Sequence, residues 1–441
     1  MTVIYHQETY TMFRAALRTF TFAAGALTGT LMALAAPAAL AQTVKIGYID
    51  PLSGPFANVG EAGLKQFQFV VDDINARNLT GGPKLEVVPL DNKGTPQESL
   101  NQLKVAIDRG IRIVTQGNGS GAALAISDAV TKHNERSPKE AVLYLNYAAV
   151  DPDLTNSKCS FWHFRFDANS DMKMEAMTTF IEKQRNVKSV YLINQNYAFG
   201  QQVTRAAKEY LARKRPDIKI AGDDLHPLGQ VRDFAPYVAK IKASGADTVI
   251  TGNWGNDMAL LIKAAKDANL NVDFYTYYAG GLGAPTALGE AAAGRVKQIT
   301  EWHANISPNK TEKFANDFEK KYKLDFYYLR VNTMMYMVAD AIKKAKSNEP
   351  LNIAYALEGM KFMSDTGEAE MRANDHQLIN PMYMSTIVKA AVKGDKPQAG
   401  GDKTVKYDQE DTGLGFRTDA RIESYVLAQP TSCQMKRPAK P

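Results

Sequence analysis

The sequence predicts an α/β protein of two lobes, each a mostly parallel sheet flanked by helices. Three observations carry this. The 441 residues exceed what one hydrophobic core usually supports. Short apolar strands alternate with amphipathic helical stretches. The alternation then restarts after Asp171. A composition of 45% hydrophobic and 23% charged residues excludes a disordered chain, a collagen-like fibre and a polytopic membrane protein. The net charge of +6 is modest for this length and is no nucleic-acid footprint by itself.

Val44, Ile46 and Tyr48 alternate with Lys45 and Gly47 as a strand leading to the turn Ser53-Gly54-Pro55. Leu64, Phe67, Val70, Val71 and Ile74 recur at helical spacing, and Leu85 to Leu90 reads as a second strand. Thr95-Pro96 is a helix cap with proline at the first position, and Leu100, Leu103 and Ile107 follow up to Gly110. Ile111 to Val114 is a third strand, Gly117 to Gly121 a glycine loop, Ala122 to Lys132 a helix, and Ala141 to Leu145 a short buried strand. In the second round, Val187 to Ile193 is a strand and Gln201 to Arg213 a helix. Ile218 to Ile220 is strand-like, and a helix from Phe234 to Ala243 closes at Gly245. Thr248 to Thr251 is a strand before a helix with Met258, Leu261, Ile262 and Ala265 on one face. Residues 391–441 read as a tail docking across the lobes, with one strand from Ile422 to Leu427.

The N-terminal stretch has Arg14 and Arg18, then an apolar, alanine-rich run from Phe20 to Leu34, then Ala39-Leu40-Ala41. This is the layout of a secretory signal peptide cut after Ala41, with a membrane-spanning helix as the alternative. Met12 is an alternative start. No cysteine follows Ala41, so a lipid anchor is not expected. An exported chain places Cys159 and Cys433, the two cysteines present, where they can pair; two free thiols are the alternative.

Catalytic signatures are missing. His133, His163, His226, His303 and His376 are scattered, with no HExxH or Cys/His cluster, no Walker sequence and no GxSxG elbow. Arg213-Lys214-Arg215 sits at a predicted helix end, where cations suit the dipole. No enzyme activity, metal, cofactor or nucleic acid is therefore expected. The loop Gly117-Asn118-Gly119-Ser120-Gly121 leaves a strand and opens a helix. Its N–H groups and the Ser120 hydroxyl suit a carboxylate or another polar head group, the alternative being a helix cap without a ligand.

VKIGYIDPLSGPFANVG, QGNGSGAALAISDAV, NYAAVDPDLT and NQNYAFGQQV occur in that order. Together they resemble the periplasmic branched-chain amino-acid-binding family, the substrate-binding components of ATP-driven (ABC) importers. The resemblance implies a type I periplasmic binding protein with three hinge crossings, near Arg165, His303 and Met382. Residues 42–164 with 304–382 would form lobe 1. Residues 165–303 with 383–441 would form lobe 2 and the tail, after a signal peptide at 1–41. It also implies a small-molecule ligand, a periplasmic monomer, and an inner-membrane permease and ATPase complex as partner.

Residue by residue, Ser120 matches the serine that contacts the ligand carboxylate, and Ala148 the residue whose carbonyl accepts from the ligand ammonium. Val150 stands where a threonine is common, Phe199 where a tyrosine is common, and Val59 in place of another aromatic. Trp254 matches an aromatic that closes over the ligand. The glutamate that pairs the ammonium would fall near Gly280, and no acid stands there. Asn118, Tyr147 and Phe56 complete the expected site. A buried ammonium without a carboxylate is costly, so the ligand is expected to be an aromatic or aliphatic carboxylate, with an amino acid left open. A ligand sensor on the same fold is the functional alternative, ahead of an enzyme.

Overall fold

The computed structural model describes residues 43–440; the expected signal peptide and its cleavage site lie outside them. The first sheet has five parallel strands in the order β2-β1-β3-β4-β5. They are β1 (Val44–Asp50), β2 (Leu85–Asp91), β3 (Ile113–Gln116), β4 (Leu143–Asn146) and β5 (His163–Arg165). Between them run α1 (Ala57–Ala76), α2 (Pro96–Asp108) and α3 (Ser120–Arg136). Thr95 caps α2 by accepting from the Glu98 N–H, with Pro96 in the first turn. The predicted third strand starts two residues late. Ile111 belongs to the stop of α2, where its N–H donates to the Ala106 carbonyl and Gly110 takes φ +69°. The three-residue β5 was too short and polar to give a periodic signal.

The second sheet has seven strands in the order β17-β14-β10-β9-β8-β6-β7. Five are parallel: β6 (Ser189–Gln195), β7 (Lys219–His226), β8 (Thr248–Thr251), β9 (Asp273–Thr276) and β10 (Val296–Thr300). Their helices are α4 (Ser170–Ile181), α5 (Ala198–Lys214), α6 (Ala235–Ser244), α7 (Gly255–Asp267) and the short α8 (Ala284–Leu288). Gly245 ends α6 in the left-handed conformation, as its position in sequence predicts.

After β10 the chain forms α9 (Glu312–Tyr322), α10 (Leu329–Ala345) and α11 (Pro350–Leu357). Val331, Met334, Val338 and Ile353 from these helices join the core of the first sheet, not the second. A small sheet of β11 (Lys361–Ser364), β12 (Gly367–Met371) and β13 (Leu378–Ile379) follows. Then β14 (Met382–Lys389) returns antiparallel beside β10. The chain thus passes between the sheets after β5, after β10 and before β14. Arg165, fully buried, ties the first passage to the third: its Nε donates to Gln377 Oε1 at 2.7 Å and its Nη1 to the Asp151 carbonyl at 2.5 Å.

A minor hairpin, β15 (Val392–Lys393) with β16 (Lys396–Pro397), leads to β17 (Leu414–Ile422), which pairs antiparallel with β14. The expected strand from Ile422 to Leu427 is therefore corrected. Ile422 ends β17, and Leu427 lies in a turn of helix, α12 (Ser424–Leu427). Both are buried, but from different elements. The tail then reaches the first lobe, where Thr431 Oγ1 donates to the Thr155 carbonyl at 2.8 Å and Cys433 is disulfide-bonded to Cys159, Cα to Cα 5.6 Å.

Candidate functional site

The strands of an open parallel sheet leave their carboxyl ends free for a ligand. Residues just after β3, β4, β6, β8 and β9 converge here on one cavity between the two sheets.

The wall from the first lobe combines one polar turn with small apolar residues and the rings of Tyr327 and Tyr328. Asn118, Gly119 and Ser120 come from the β3–α3 turn, and Ala148, Ala149 and Val150 follow β4. Asn146 Oδ1 accepts from the N–H groups of Ala148 and Ala149, which fixes that second turn. Ser120 is the first residue of α3 and not part of a loop, so its N–H sits at a helix N-terminus. Its Oγ accepts from the Asp151 N–H at 3.2 Å and keeps its own proton for a ligand. The glycine loop is less available than its sequence suggests. The N–H groups of Gly117 and Asn118 donate to the buried Asp50 carboxyl at 3.2 and 2.9 Å. Burial pushes Asp50 up to about 7, against those two amides.

Tyr147 was expected to enclose the ligand. It lies behind the wall, fully buried, with its hydroxyl accepting from Asn118 Nδ2 at 2.8 Å and 3.1 Å from the Tyr48 hydroxyl. A Cβ at Gly117 would stand 2.6 Å from the Tyr147 ring, so glycine is what lets this ring pack under the loop.

The second lobe supplies rings. Trp254 precedes α7, and Tyr197 and Phe199 stand at the start of α5. Trp254 Nε1 donates to the Tyr197 hydroxyl at 2.8 Å, holding both rings in place. Tyr278 follows β9 and packs edge-on to Phe199 at 6.1 Å. Phe56, expected to touch the ligand, instead crosses from the first lobe and stacks on Trp254 with centroids 4.3 Å apart. Gly229 and Gly255 leave it room, since a Cβ at either would come within about 3 Å of the ring. Phe56 thus stands outside the lining, in contact with Trp254, which belongs to it.

Gly280 does not face the cavity. Its N–H donates to Gln298 Oε1, and a Cβ there would meet Phe416 at 2.5 Å, so it packs into the second sheet. Its neighbours Gly281 and Leu282 line the cavity instead. The structure thus gathers Asn118, Ser120, Ala148, Val150, Phe199 and Trp254 around one space, leaving out Phe56, Tyr147 and Gly280.

Sequence reasoning missed Tyr197, Tyr278, Tyr327, Tyr328 and Arg330. Arg330 is the only charged residue among the described residues lining the cavity. One signal for it exists: it occupies the first turn of α10, where a cation opposes the helix dipole and so needs another partner. Its Nη1 donates to Glu301 Oε1 at 2.5 Å, and its Nε is 3.4 Å from Asp167 Oδ2. Lys173 Nζ donates to Asp167 at 2.9 Å and lies 5.0 Å above the Tyr278 ring. These two cations and two carboxylates are all buried.

Comparison with known proteins places this architecture. The sequence profile of the family described as Periplasmic binding protein matches residues 43–394. The chain is 32% identical over 430 residues to Leu/Ile/Val-binding protein homolog 4 of Brucella abortus (strain 2308), covering 94% of this chain and 98% of that one. It is similar to the closed crystal structure of the leucine-, isoleucine-, valine-, threonine- and alanine-binding protein of Brucella ovis. That similarity has a TM-score of 0.77 and 30% identity, over 90% of this chain and 100% of that one. A Rhodopseudomonas palustris solute-binding protein in complex with benzoate shares the fold, with a TM-score of 0.71 at 18% identity over 89% of this chain and 99% of its own. Two lobes with facing strand ends, a cavity built from both, and these relatives lead to one conclusion: the chain belongs to the periplasmic binding protein family, in its branched-chain amino-acid-binding branch.

Proposed function

We propose that this protein captures a small carboxylic acid with an apolar or aromatic body in the periplasm and delivers it, chemically unchanged, to an inner-membrane ABC permease and ATPase complex. The observation that carries the reading is the cavity lining, which holds rings from both lobes, one polar turn at Asn118 to Ser120, and no Asp or Glu among the described residues. A buried ammonium there would lack a carboxylate partner. Ser120 and the first amides of α3 suit an anionic head, because a helix N-terminus favours negative charge. Trp254, Phe199 and Tyr278 suit an apolar body. The two lobes would close on the ligand by hinge motion about the three passages, with the contacts made in the closed state driving closure. The fold itself is compatible with a ligand lacking an ammonium group, since the benzoate complex shares it.

The second reading is an α-amino acid, favoured by the names of the relatives at 30–32% identity. A thermal-shift screen of leucine, isoleucine and valine against their deaminated counterparts and benzoates, followed by calorimetry, separates the two. Binding of the free acids supports the proposal. Tight binding of leucine or valine with the free acids inert would overturn it.

A further inference from the structure

Arg330 poses a question that the buried ion cluster does not answer. The side chain is 4% exposed and lines the cavity. One of its nitrogens is engaged by Glu301, but Nε and Nη2 are both buried without a hydrogen-bond partner. Asp167 stands near Nε at 3.4 Å without hydrogen-bond geometry, and its own Oδ1 is buried without a partner, which leaves Nη2 with no acceptor in the cluster. A guanidinium that leaves two donors unmet inside a protein carries a real cost, so the arrangement points to an acceptor outside the cluster.

The two unmet donors share one edge of the guanidinium plane. That edge presents two parallel N–H bonds, the geometry that a carboxylate meets with both oxygens at once. The plane is held from below, with the Arg330 carbon 4.5 Å from the centre of the Tyr328 ring. Arg330 also stands in the first turn of α10, whose cap, Tyr328, makes no side-chain capping bond, so the dipole at this end favours an anion too. The ions already present balance, with Arg330 and Lys173 against Glu301 and Asp167. The fork therefore asks for hydrogen-bond acceptors placed side by side more than for one further charge.

We infer that Arg330 is the specificity-determining anchor of the ligand: its Nε/Nη2 edge takes the ligand carboxylate bidentately, while Glu301, Asp167 and Tyr328 act as positioning residues that hold the guanidinium in place. This rests on the reading of the cavity as a carboxylate site and moves the principal anion contact from the Ser120 turn to the start of α10.

Calorimetry tests it with three carboxylates and their primary amides as probes: benzoate, 4-methylpentanoate and leucine, each beside benzamide, 4-methylpentanamide and leucinamide. The proteins compared are the wild type, R330K, R330Q and the double variant E301Q/R330Q. The double variant removes one charge of each sign and guards against misfolding from an unpaired Glu301. The wild type should prefer a carboxylate over its amide. R330Q and the double variant should lose about 10- to 100-fold on the carboxylate and little on the amide, as for hydrogen bonds to a charged group. R330K, which keeps the charge without the fork, should fall between. Equal losses on acid and amide, or no loss, would overturn the anchor and leave the carboxylate-binding function standing. Binding of leucine alone would sink the monocarboxylate reading, and the anchor would then be judged on leucine against leucinamide by the same loss. If no carboxylate binds to the wild type, both fall.

Discussion

Two parts of the cavity wall, a polar turn of the first lobe and a ring set of the second, are built on different principles. The polar turn is fixed from behind. Asp50 holds its amides, Tyr48 and Tyr147 underpin Asn118, and Asn146 clamps the turn after β4. The wall of the second lobe is a set of rings that hold one another, Trp254 by Tyr197 and Tyr278 by Phe199. A fixed hydrogen-bonding turn recognises a head group of one geometry, whereas rings accept a range of apolar bodies. On the proposed function, the difference teaches that specificity for the head and tolerance for the body would rest on different parts of the wall, which closure would bring to bear together.

The largest effect should come from the ring wall. Trp254→Ala should weaken ligand binding by about 2–4 kcal/mol, as for a desolvated aromatic anchor; calorimetry showing under a tenfold change would remove Trp254 from the binding machinery. Ser120→Ala should cost about 1–3 kcal/mol, with the loss confined to ligands bearing the acceptor head. If an amide and an acid lose equally, the polar wall is not reading charge. Phe56→Ala should cost about 1 kcal/mol through lost stacking on Trp254, seen chiefly as faster ligand release in stopped-flow traces. A change confined to the association rate would show that this stack does not hold the bound state.

The smallest effect on affinity, and the one that isolates the polar wall, concerns Asp50. Burial lifts its carboxyl to about 7. Between about pH 4 and pH 7 it is then protonated in the folded chain and ionised in the unfolded chain. Its contribution to stability is complete below that window and is lost as the pH rises through it. Asp50→Asn should flatten the fall of Tm between pH 4 and pH 7. Parallel curves for the two proteins would show that Asp50 does not carry this slope.

Much of the fold could be read from local signals. Thr95-Pro96 and Gly245 mark helix ends by chemistry that acts within a few residues, and the structure places ends there. The polar wall was readable for the same reason, since Asn118, Ser120 and Ala148 lie in turns directly after strands. What failed was anything set by side-chain direction or distant packing. Tyr147 and Gly280 stand beside lining residues in sequence but point into the protein, and no spacing rule shows this. Asp50 occupies loop amides from 67 residues away. Arg330 reaches the cavity only because α10, following the second sheet in sequence, packs on the core of the first.

The tail has a mechanical consequence. Leu427 is buried with the second lobe, while Cys433 is bonded to Cys159 of the first. The run between them, Ala428 to Ser432, reaches about 20 Å at full stretch. It is a leash across one edge of the hinge, and its length caps how far that edge can part. If the lobes hinge as proposed, they would then gape on the side away from the tail, solute would enter from one direction, and the swing of the empty protein would be limited by a covalent strap. Cys433→Ser should widen the unliganded form in small-angle scattering and leave the liganded form unchanged; equal profiles for the unliganded proteins would mean that the leash is never drawn tight.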